Sequence, residues 1–206
     1  MKEYQSIPRF NNIKVPNFPI STWNKEDGSN LRFEWNKKQG FYKYGTRTQL
    51  FDESHPLFSK SLPFFNKNIR EPLSKVFTDK KYESTVVFAE FYGENSFAGV
   101  HNPNDEFKLC VFDINVYKKG ILSPEVFYNM CKDIVPTPYY FGQILWNDEF
   151  VSKIRNNEIE NITFEGVVGK WVKGNNIEMV KAKTQNWIDL VRSKFDDSKA
   201  KELINS

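Results

Sequence analysis

Alternation of hydrophobic and polar residues recurs along this chain in short runs, and such period-two runs are typical of half-buried β-strands. Residues 31–35 and 41–47 alternate in this way on either side of the polar, glycine-containing stretch 37–40. We expect these two runs to form an antiparallel hairpin with Arg47 at its far end. Further strands are predicted where apolar and β-branched residues concentrate, at 85–93, 107–114, 162–172 and 178–183.

Apolar residues at helical spacing predict helices in other stretches. A short helix is predicted over 146–155 and a C-terminal helix over about 185–203. Between 51 and 78, prolines interrupt short apolar clusters, so broken helices and loops are expected there. One more helix begins with an N-cap serine and a first-turn proline, Ser123 and Pro124, and its apolar stripe is predicted to be Val126, Phe127, Met130, Cys131 and Ile134.

The stretch 25–30, Lys-Glu-Asp-Gly-Ser-Asn, places an amine, two carboxylates and a glycine between two strand-like runs. Because Asp-Gly is a common hairpin turn, Asp27 and Gly28 are predicted to connect a strand that begins near Ile20 to the strand at 31–35. One interpretation makes Lys25 a solvated charge at a strand end. The other makes its amine a reactive group that faces a cleft, and this interpretation needs partner residues from the rest of the chain.

Composition limits the classes of protein that are possible. At 206 residues the chain is long enough for one well-buried core, so a single domain over 1–206 is expected, with no separate C-terminal domain. Hydrophobic residues at 39%, aromatic residues at 16% and charged residues at 27% exclude a disordered chain. The net charge of +3 is too small to indicate nucleic-acid binding by itself.

The sequence also bears on the compartment. No apolar leader begins the chain and no apolar run is long enough to span a bilayer, so we expect a cytoplasmic protein, in the host cytoplasm if it is viral, with no membrane partner. Cys110 and Cys131 have no metal-type spacing and are expected to be reduced thiols in the core.

Charged residues interrupt several of the predicted strands. Glu90, Asp113 and Glu165 each stand within or at the end of an apolar run, and a carboxylate that is buried there needs a partner. Strand alternation places Lys181 and Lys183 on one face, where two ammonium groups repel each other unless an anion lies between them. The alternative is that both lysines are solvated on an edge strand.

In chain order, these residues form a series that is more specific than any one of its members: Lys25-Glu26-Asp27-Gly28, Arg47, Phe88-Ala89-Glu90, Phe112-Asp113, Glu165-Gly166 and Lys181-Ala182-Lys183. In this series the chain resembles the covalent nucleotidyltransferases, the ATP-dependent polynucleotide ligases and RNA capping enzymes, and most of all the phage-type RNA ligases that seal nicks. The resemblance covers about residues 20–185. It implies an α+β nucleotidyltransferase domain of antiparallel sheets with flanking helices, and a nucleotide in the cleft between the sheets.

The resemblance also implies roles for single residues. Lys25 matches the nucleophile that becomes bonded to AMP, and Lys181 and Lys183 match the catalytic pair that contacts the α-phosphate. Glu165 and Glu90 match carboxylates near the metal, and Glu90 is also expected near the ribose or the lysine. The remaining nucleotide-binding residues that it implies are Glu26, Asn30, Arg47 and Phe112, the last as a ring that stacks on adenine.

The implied activity is ATP-dependent joining of RNA 3′-hydroxyl and 5′-phosphate ends through a lysyl-AMP intermediate, with ATP and Mg²⁺ or Mn²⁺ as cofactors. A free lysine amine, with a pKa of about 10.4, is uncharged in only about one molecule in a thousand at neutral pH, so nearby cations are needed to favour the neutral form. The expected partners are RNA ends or a nicked duplex, with DNA possible, and the expected state is a monomer. The alternatives are a minimal DNA ligase, a capping-type guanylyltransferase, a non-catalytic nucleotide-binding or nucleic-acid-binding module, and an adenylylation partner that needs a second subunit.

Overall fold

The computed structural model describes residues 3–94 and 104–205. These residues form ten strands and six α-helices. The strands are β1 (Ile20–Lys25), β2 (Ser29–Asn36), β3 (Gly40–Gly45), β4 (Leu50–Phe51), β5 (Ser84–Tyr92), β6 (Lys108–Val116), β7 (Gly120–Ile121), β8 (Tyr140–Ile144), β9 (Gly166–Lys173) and β10 (Asn176–Lys183). The helices are α1 (Leu62–Asn68), α2 (Arg70–Asp79), α3 (Pro124–Cys131), α4 (Asp148–Arg155), α5 (Gln185–Lys194) and α6 (Asp197–Asn205).

The backbone divides into two compact units, and each carries one antiparallel sheet. Of the described residues, unit 1 contains 3–4, 28–94 and 104–137, and unit 2 contains 5–27 and 138–205. The fold class is therefore α+β with antiparallel sheets and flanking helices, as the sequence predicts. The expectation of a single domain over 1–206 stays a prediction.

Unit 1 is built on a six-stranded sheet with the order β4-β3-β2-β5-β6-β7. One face of the sheet packs against α1 and α2 through aromatic rings: Phe33 stacks on Phe65 with ring centroids 4.0 Å apart, and Trp35 meets Phe77 edge-on at 5.3 Å. The predicted hairpin of β2 and β3 is confirmed, as are the strands at β5 and β6 and the broken helices between 51 and 78.

Unit 2 is built on a four-stranded sheet with the order β10-β9-β1-β8. Its core lies between the sheet and α4, and includes Ile20, Trp146, Ile154 and Val180. A smaller apolar cluster, centred on Trp187, joins α5 and α6. The predicted helix over 146–155 is confirmed, and β9 and β10 form an antiparallel hairpin.

The residues before β1 lie along the open side of β10, which is an edge strand. The backbone amide of Lys181 donates to the carbonyl of Pro8 at 2.9 Å, and Arg9 forms a parallel bridge with Lys181. Covering an edge in this way satisfies backbone groups and hinders pairing with another chain. Residues 5–19 of the N-terminal arm, which precedes β1, are therefore part of the structure of unit 2.

The predicted hairpin turn at Asp27 and Gly28 is wrong. Strand β1 pairs with β8 and β9, whereas β2 pairs with β3 and β5, so the two runs that flank Asp27-Gly28 belong to different sheets. Gly28 is required for another reason: a Cβ atom there would collide with the carbonyl oxygen of Phe91. The short local pattern could not reveal that β1 pairs with strands more than a hundred residues away.

Three further details differ from the predictions. The helix α3 begins as expected, with the Ser123 side chain accepting from the amide of Val126, but Val126 and Ile134 of the predicted stripe are 46% and 37% exposed. The C-terminal helix expected over about 185–203 is two helices, because the backbone is extended at Phe195. The strand predicted over 162–172 begins only at Gly166.

The expectation for the two cysteines, that they are core thiols, is confirmed. Cys110 in β6 and Cys131 in α3 are buried free thiols. Within residues 3–94 and 104–205, no helix combines the length and the apolar character that a membrane span requires.

Candidate functional site

Three lysines lie on one face of the sheet of unit 2. Gly166 in β9 pairs with Lys25 on one side and with Lys183 on the other, and residues directly opposite each other in a sheet share a face. Lys181 is two residues from Lys183 and so lies on the same face. The predicted common face of Lys181 and Lys183 is confirmed, and Lys25 joins them.

The position between these lysines accommodates only a glycine. Gly166 has φ of +139°, a conformation that other residues rarely adopt, and a Cβ atom there would collide with the carbonyl oxygen of Ala182. Glycine therefore lets β9 approach β10 closely and leaves no side chain between Lys25 and Lys183.

One carboxylate joins two of the lysines. Glu165 precedes β9 and is 4% exposed, and its Oε2 lies 2.9 Å from Nζ of Lys25 while its Oε1 lies 3.2 Å from Nζ of Lys183. Burial by itself would raise the pKa of Glu165, but the charges of Lys25 and Lys183 outweigh burial and hold the pKa below its ordinary value. Glu165 is therefore a buried anion whose charge depends on its lysine partners.

Lys181 and Lys183 are 1% and 5% exposed, so the interpretation that they are solvated on an edge strand is wrong. Burial is the main reason that the pKa of Lys181 falls to about 7, and the charges of Lys183 and Lys25 lower it further. Burial also lowers the pKa of Lys183 to about 8, against the opposing effect of Glu165. These two amines change charge near neutral pH, which ordinary lysines do not.

Contacts from the C-terminal helices fix Lys183 in place. Its Nζ donates to the carbonyl of Leu203 in α6 at 3.1 Å and lies 3.6 Å from the centre of the Trp187 ring in α5. The side chain of Lys25 is more accessible, with 23% exposure. The arrangement thus combines one accessible amine with two buried amines around one carboxylate, which favours binding of an anion next to Lys25.

Unit 1 brings together another set of the predicted residues. Asn30 in β2 lies directly opposite Glu90 in β5, and both are half-buried. Phe112 is the extra residue of a β-bulge in β6, because Phe88 pairs with Asp113 and Ala89 pairs with Val111. Such bulges redirect a side chain locally.

Tyr4 is a residue of this cluster that the sequence did not indicate. Its hydroxyl donates a hydrogen bond to Oδ2 of Asp113, and its ring lies 5.0 Å from that of Phe88 and 4.9 Å from that of Phe112. Burial, followed by the charge of Asp113, raises the pKa of Tyr4 well above its ordinary value. A lone tyrosine in a polar, proline-punctuated arm gives no sequence signal of such a contact.

Two other predicted residues lie outside the strands. Glu26 is half-buried directly after β1, and Arg47 is exposed between β3 and β4. Within the described ranges, no hydrogen bond or ion pair joins Arg47 to the other predicted site residues.

A divalent metal would find a limited set of ligands. No group of three or more His, Cys, Asp or Glu side chains suited to a metal occurs in the described part of the chain. Glu165 offers one carboxylate in unit 2, with both oxygens next to ammonium groups, and Glu90 belongs to unit 1. A metal bound at Glu165 would therefore have one carboxylate from unit 2 and would need phosphate oxygens and water for the rest of its shell, as Mg²⁺ commonly does.

Comparison with known proteins identifies the fold. No protein-family model and no curated protein matches this chain. Among solved structures, an archaeal ATP-dependent RNA ligase is similar over 94% of this chain and 50% of its own, with 17% identity and a TM-score of 0.65. A Naegleria gruberi RNA ligase mutant with AMP and Mn is similar over 84% of this chain and 52% of its own, with 15% identity and a TM-score of 0.63.

A third structure, the Naegleria gruberi RNA ligase with PPi, is similar over 84% of this chain and 51% of its own, with 16% identity and a TM-score of 0.62. This chain spans about half the length of the ligases that it matches. At these identities the similarity establishes the fold alone, which is an α+β fold of antiparallel sheets with flanking helices that this chain shares with these RNA ligases.

Proposed function

We propose that this chain is an ATP-dependent RNA ligase that works through a covalent lysyl-AMP intermediate on Lys25. The observation that carries the proposal is the accessible amine of Lys25, 2.9 Å from a buried carboxylate that also binds Lys183. An amine nucleophile beside buried cations is the arrangement that attack on a phosphate requires.

In the first step, the neutral amine of Lys25 attacks the α-phosphorus of ATP. A P–N bond forms, the bond from the α-phosphorus to the bridging oxygen breaks, and pyrophosphate leaves. The proton of the Lys25 ammonium must leave first, and Oε2 of Glu165 already accepts a hydrogen bond from that nitrogen. The carboxylate therefore orients the nitrogen. One proton leaves the ammonium to solvent before the attack, and a second leaves the nitrogen as the phosphoramide forms.

Lys181 and Lys183 neutralise the non-bridging oxygens of the α-phosphate. Because their pKa values are about 7 and about 8 in the free protein, a phosphate anion nearby favours their protonated forms. Nucleotide binding is therefore coupled to proton uptake by these two amines. A divalent ion held by Glu165 would supply further neutralisation of the phosphate charge.

Unit 1 is proposed to supply recognition of the nucleoside. Phe112 is assigned to stacking on adenine, and Asn30 and Glu90, which face each other across β2 and β5, to hydrogen bonds with the ribose. Arg47 and Glu26 are assigned to the phosphates and the nucleotide on the basis of the family resemblance alone. Glu90 is the second carboxylate assigned to the metal.

The later steps and the substrate complete the proposal. AMP passes from Lys25 to a 5′-phosphate end, and a 3′-hydroxyl then attacks this end and releases AMP. The proposed substrates are RNA ends or a nicked duplex, sealed by a monomer of the phage-like, nick-sealing type. Support for RNA, ATP and a divalent metal comes from the solved ligases of the same fold, among which a Naegleria gruberi RNA ligase mutant was solved with ATP and Mn.

Intact-mass measurement after incubation with ATP and Mg²⁺, or with Mn²⁺, tests the first step. We expect the wild-type chain to gain the mass of one AMP and Lys25→Ala to gain none. Lys173→Ala is the matched control, because Lys173 is an exposed lysine of the same sheet that pairs with Glu178, and it should react like wild type.

Nicked RNA and nicked DNA duplexes then distinguish the proposed ligase from a minimal DNA ligase, and GTP in place of ATP tests the guanylyltransferase alternative. If folded wild-type protein, free of bound AMP, gains no adduct with either metal, the proposal is wrong. A nucleotide-binding or nucleic-acid-binding module would then be the better account.

A further inference from the structure

A basic pocket in unit 2 adjoins the buried lysine pair and contains two arginines that have no role in the chemistry above. Its lining includes four cationic residues, Arg9, Arg155, Lys181 and Lys183. The two arginines come from elements far apart in sequence, the N-terminal arm and the last residue of α4. We call this site the basic pocket.

The arginines of the basic pocket are not balanced by acids. Arg9 and Arg155 form no ion pair with any carboxylate of residues 3–94 and 104–205. Arg9 is half-buried, and burial followed by the charges of Arg155 and Arg192 lowers its pKa. Like charges that a fold brings together without an acid destabilise that fold, so their convergence indicates an anion as the missing partner.

Arg9 is also held in position. Its backbone bridges to Lys181, and its Nη1 donates to Oδ1 of Asn205 in α6 at 3.3 Å. A cation at the end of a helix is favoured by the helix dipole, which accounts for Arg155 in α4 and Arg192 in α5 taken singly. It does not account for Arg9, which lies in the arm and is fixed against both the strand edge and α6.

We propose that the basic pocket binds phosphate groups of a nucleic-acid strand. Guanidinium groups suit this ligand because their planar fork matches two phosphate oxygens at once. The exposed Arg155 and Arg192 extend the positive surface outward from the pocket, as contact with successive phosphates of a strand requires. The inference rests on the proposed function for its choice of RNA, and ATP is the other source of phosphate groups.

Binding of 5′-phosphorylated single-stranded RNA, followed by fluorescence anisotropy at several salt concentrations and without ATP, tests this proposal. The test variant combines Arg9→Gln with Arg155→Gln, and the first of these replacements keeps an amide donor for Asn205. The matched control is Lys37→Gln with Lys38→Gln, which removes the same charge from an exposed turn of unit 1.

We expect the arginine variant to bind RNA roughly tenfold more weakly, with a salt slope smaller by about 1.4, which is about 0.7 for each of two lost phosphate contacts. The control should stay within about twofold of wild type, since exposed charges outside a contact surface are screened. Lys replacements at the same two arginines should keep most of the salt slope, because they keep the charge.

The proposal is overturned if the arginine variant matches the control, because the effect would then be one of overall charge. A raised KM for ATP in the adenylylation assay with unchanged RNA affinity would assign the phosphates to ATP and overturn the strand assignment. Arg155→Gln alone, at an exposed helix end, keeps the test available if the double variant does not fold.

Failure of the proposed function is a separate outcome. RNA binding is measured without ATP, so the two results are independent. If the wild-type protein forms no adenylate, but the arginine variant binds RNA more weakly than wild type, the basic pocket is supported and the ligase proposal is contradicted.

Discussion

In unit 2, three lysines gather around the carboxylate of Glu165, whereas in unit 1 the carboxylates of Asp113 and Glu90 lie with the ring of Tyr4 and its aromatic neighbours. Both clusters are carried by antiparallel strands, yet their electrostatics are opposite. The first consists of lysines around one carboxylate, and the second consists of aromatic rings around carboxylates, with Asp113 buried among them. The same kind of antiparallel scaffold can therefore bury either a cationic cluster or an acidic and aromatic cluster.

The substitution with the largest expected effect on stability is Glu165→Gln, which removes the negative charge from the lysine cluster of unit 2. The three amines would then share a face without a counter-charge, and their charged forms would be disfavoured, so we expect the free energy of unfolding at pH 7 to fall by about 3 kcal/mol or more. Adenylylation of Lys25 should be lost as well. Urea unfolding, together with the intact-mass assay, measures both effects.

Glu149→Gln is the control for this change. Glu149 pairs with Lys153 at 2.7 Å, but on the exposed surface of α4, so its loss should have only a small effect on stability. Equal, small losses in both variants would contradict a carboxylate that stabilises the lysine cluster.

A smaller effect is expected in unit 1 from Tyr4→Phe. The ring contacts with Phe88 and Phe112 can persist, but the buried carboxylate of Asp113 loses the hydroxyl that donates to it. We expect a loss of about 1–3 kcal/mol in the free energy of unfolding. Tyr117→Phe, at a residue that is 59% exposed, should change stability by less than about 0.5 kcal/mol. If both variants are equally stable, Tyr4 does not hold Asp113 in solution.

The third prediction concerns pH. Lysines in the unfolded chain stay protonated up to a pKa near 10.5, whereas Lys181 and Lys183 in the folded chain have pKa values of about 7 and about 8. Above pH 7 the unfolded state therefore binds more protons, and stability should rise with pH by at most about 1.4 kcal/mol per pH unit for each lysine.

The rise should be measured between about pH 7 and 8.5. Burial raises the pKa of Cys131 to about 12, so at higher pH this thiol has the opposite effect on stability. Lys181→Met should reduce the slope, and Lys173→Met, at an exposed lysine, should leave it unchanged. A slope that is flat in wild type, or equal in the two variants, would contradict the lowered pKa of Lys181.

Local pattern was sufficient for much of this structure. Period-two alternation predicted β2, β3 and β10, and it placed Lys181 and Lys183 on one face before their neighbours were known. A serine and a proline in succession predicted the start of α3. These features depend on residues that are close in sequence, which is the information a single sequence carries.

Pairing over long distances was not predictable in the same way. The error at Asp27 and Gly28 arose because a turn signal does not say which strands pair, and β1 pairs with β9 and β8 instead of β2. The burial of Tyr4 and the pocket lined by Arg9 depend on where the N-terminal arm lies, and the polar composition of that arm gives no indication of it. The roles of the site residues came from the resemblance and stay predictions.

The position of Gly166 limits which mutations of its codon the protein can tolerate. Between the strands that carry Lys25 and Lys183, a Cβ atom would meet backbone, which cannot move aside as a flexible side chain can. Every base change in its codon that alters the amino acid is thus expected to harm the gene product, alanine included. At Gly174 an added Cβ atom meets nothing within 4 Å, and the φ of +58° is one that aspartate and asparagine also adopt. Substitutions by these two residues should therefore be tolerated at Gly174.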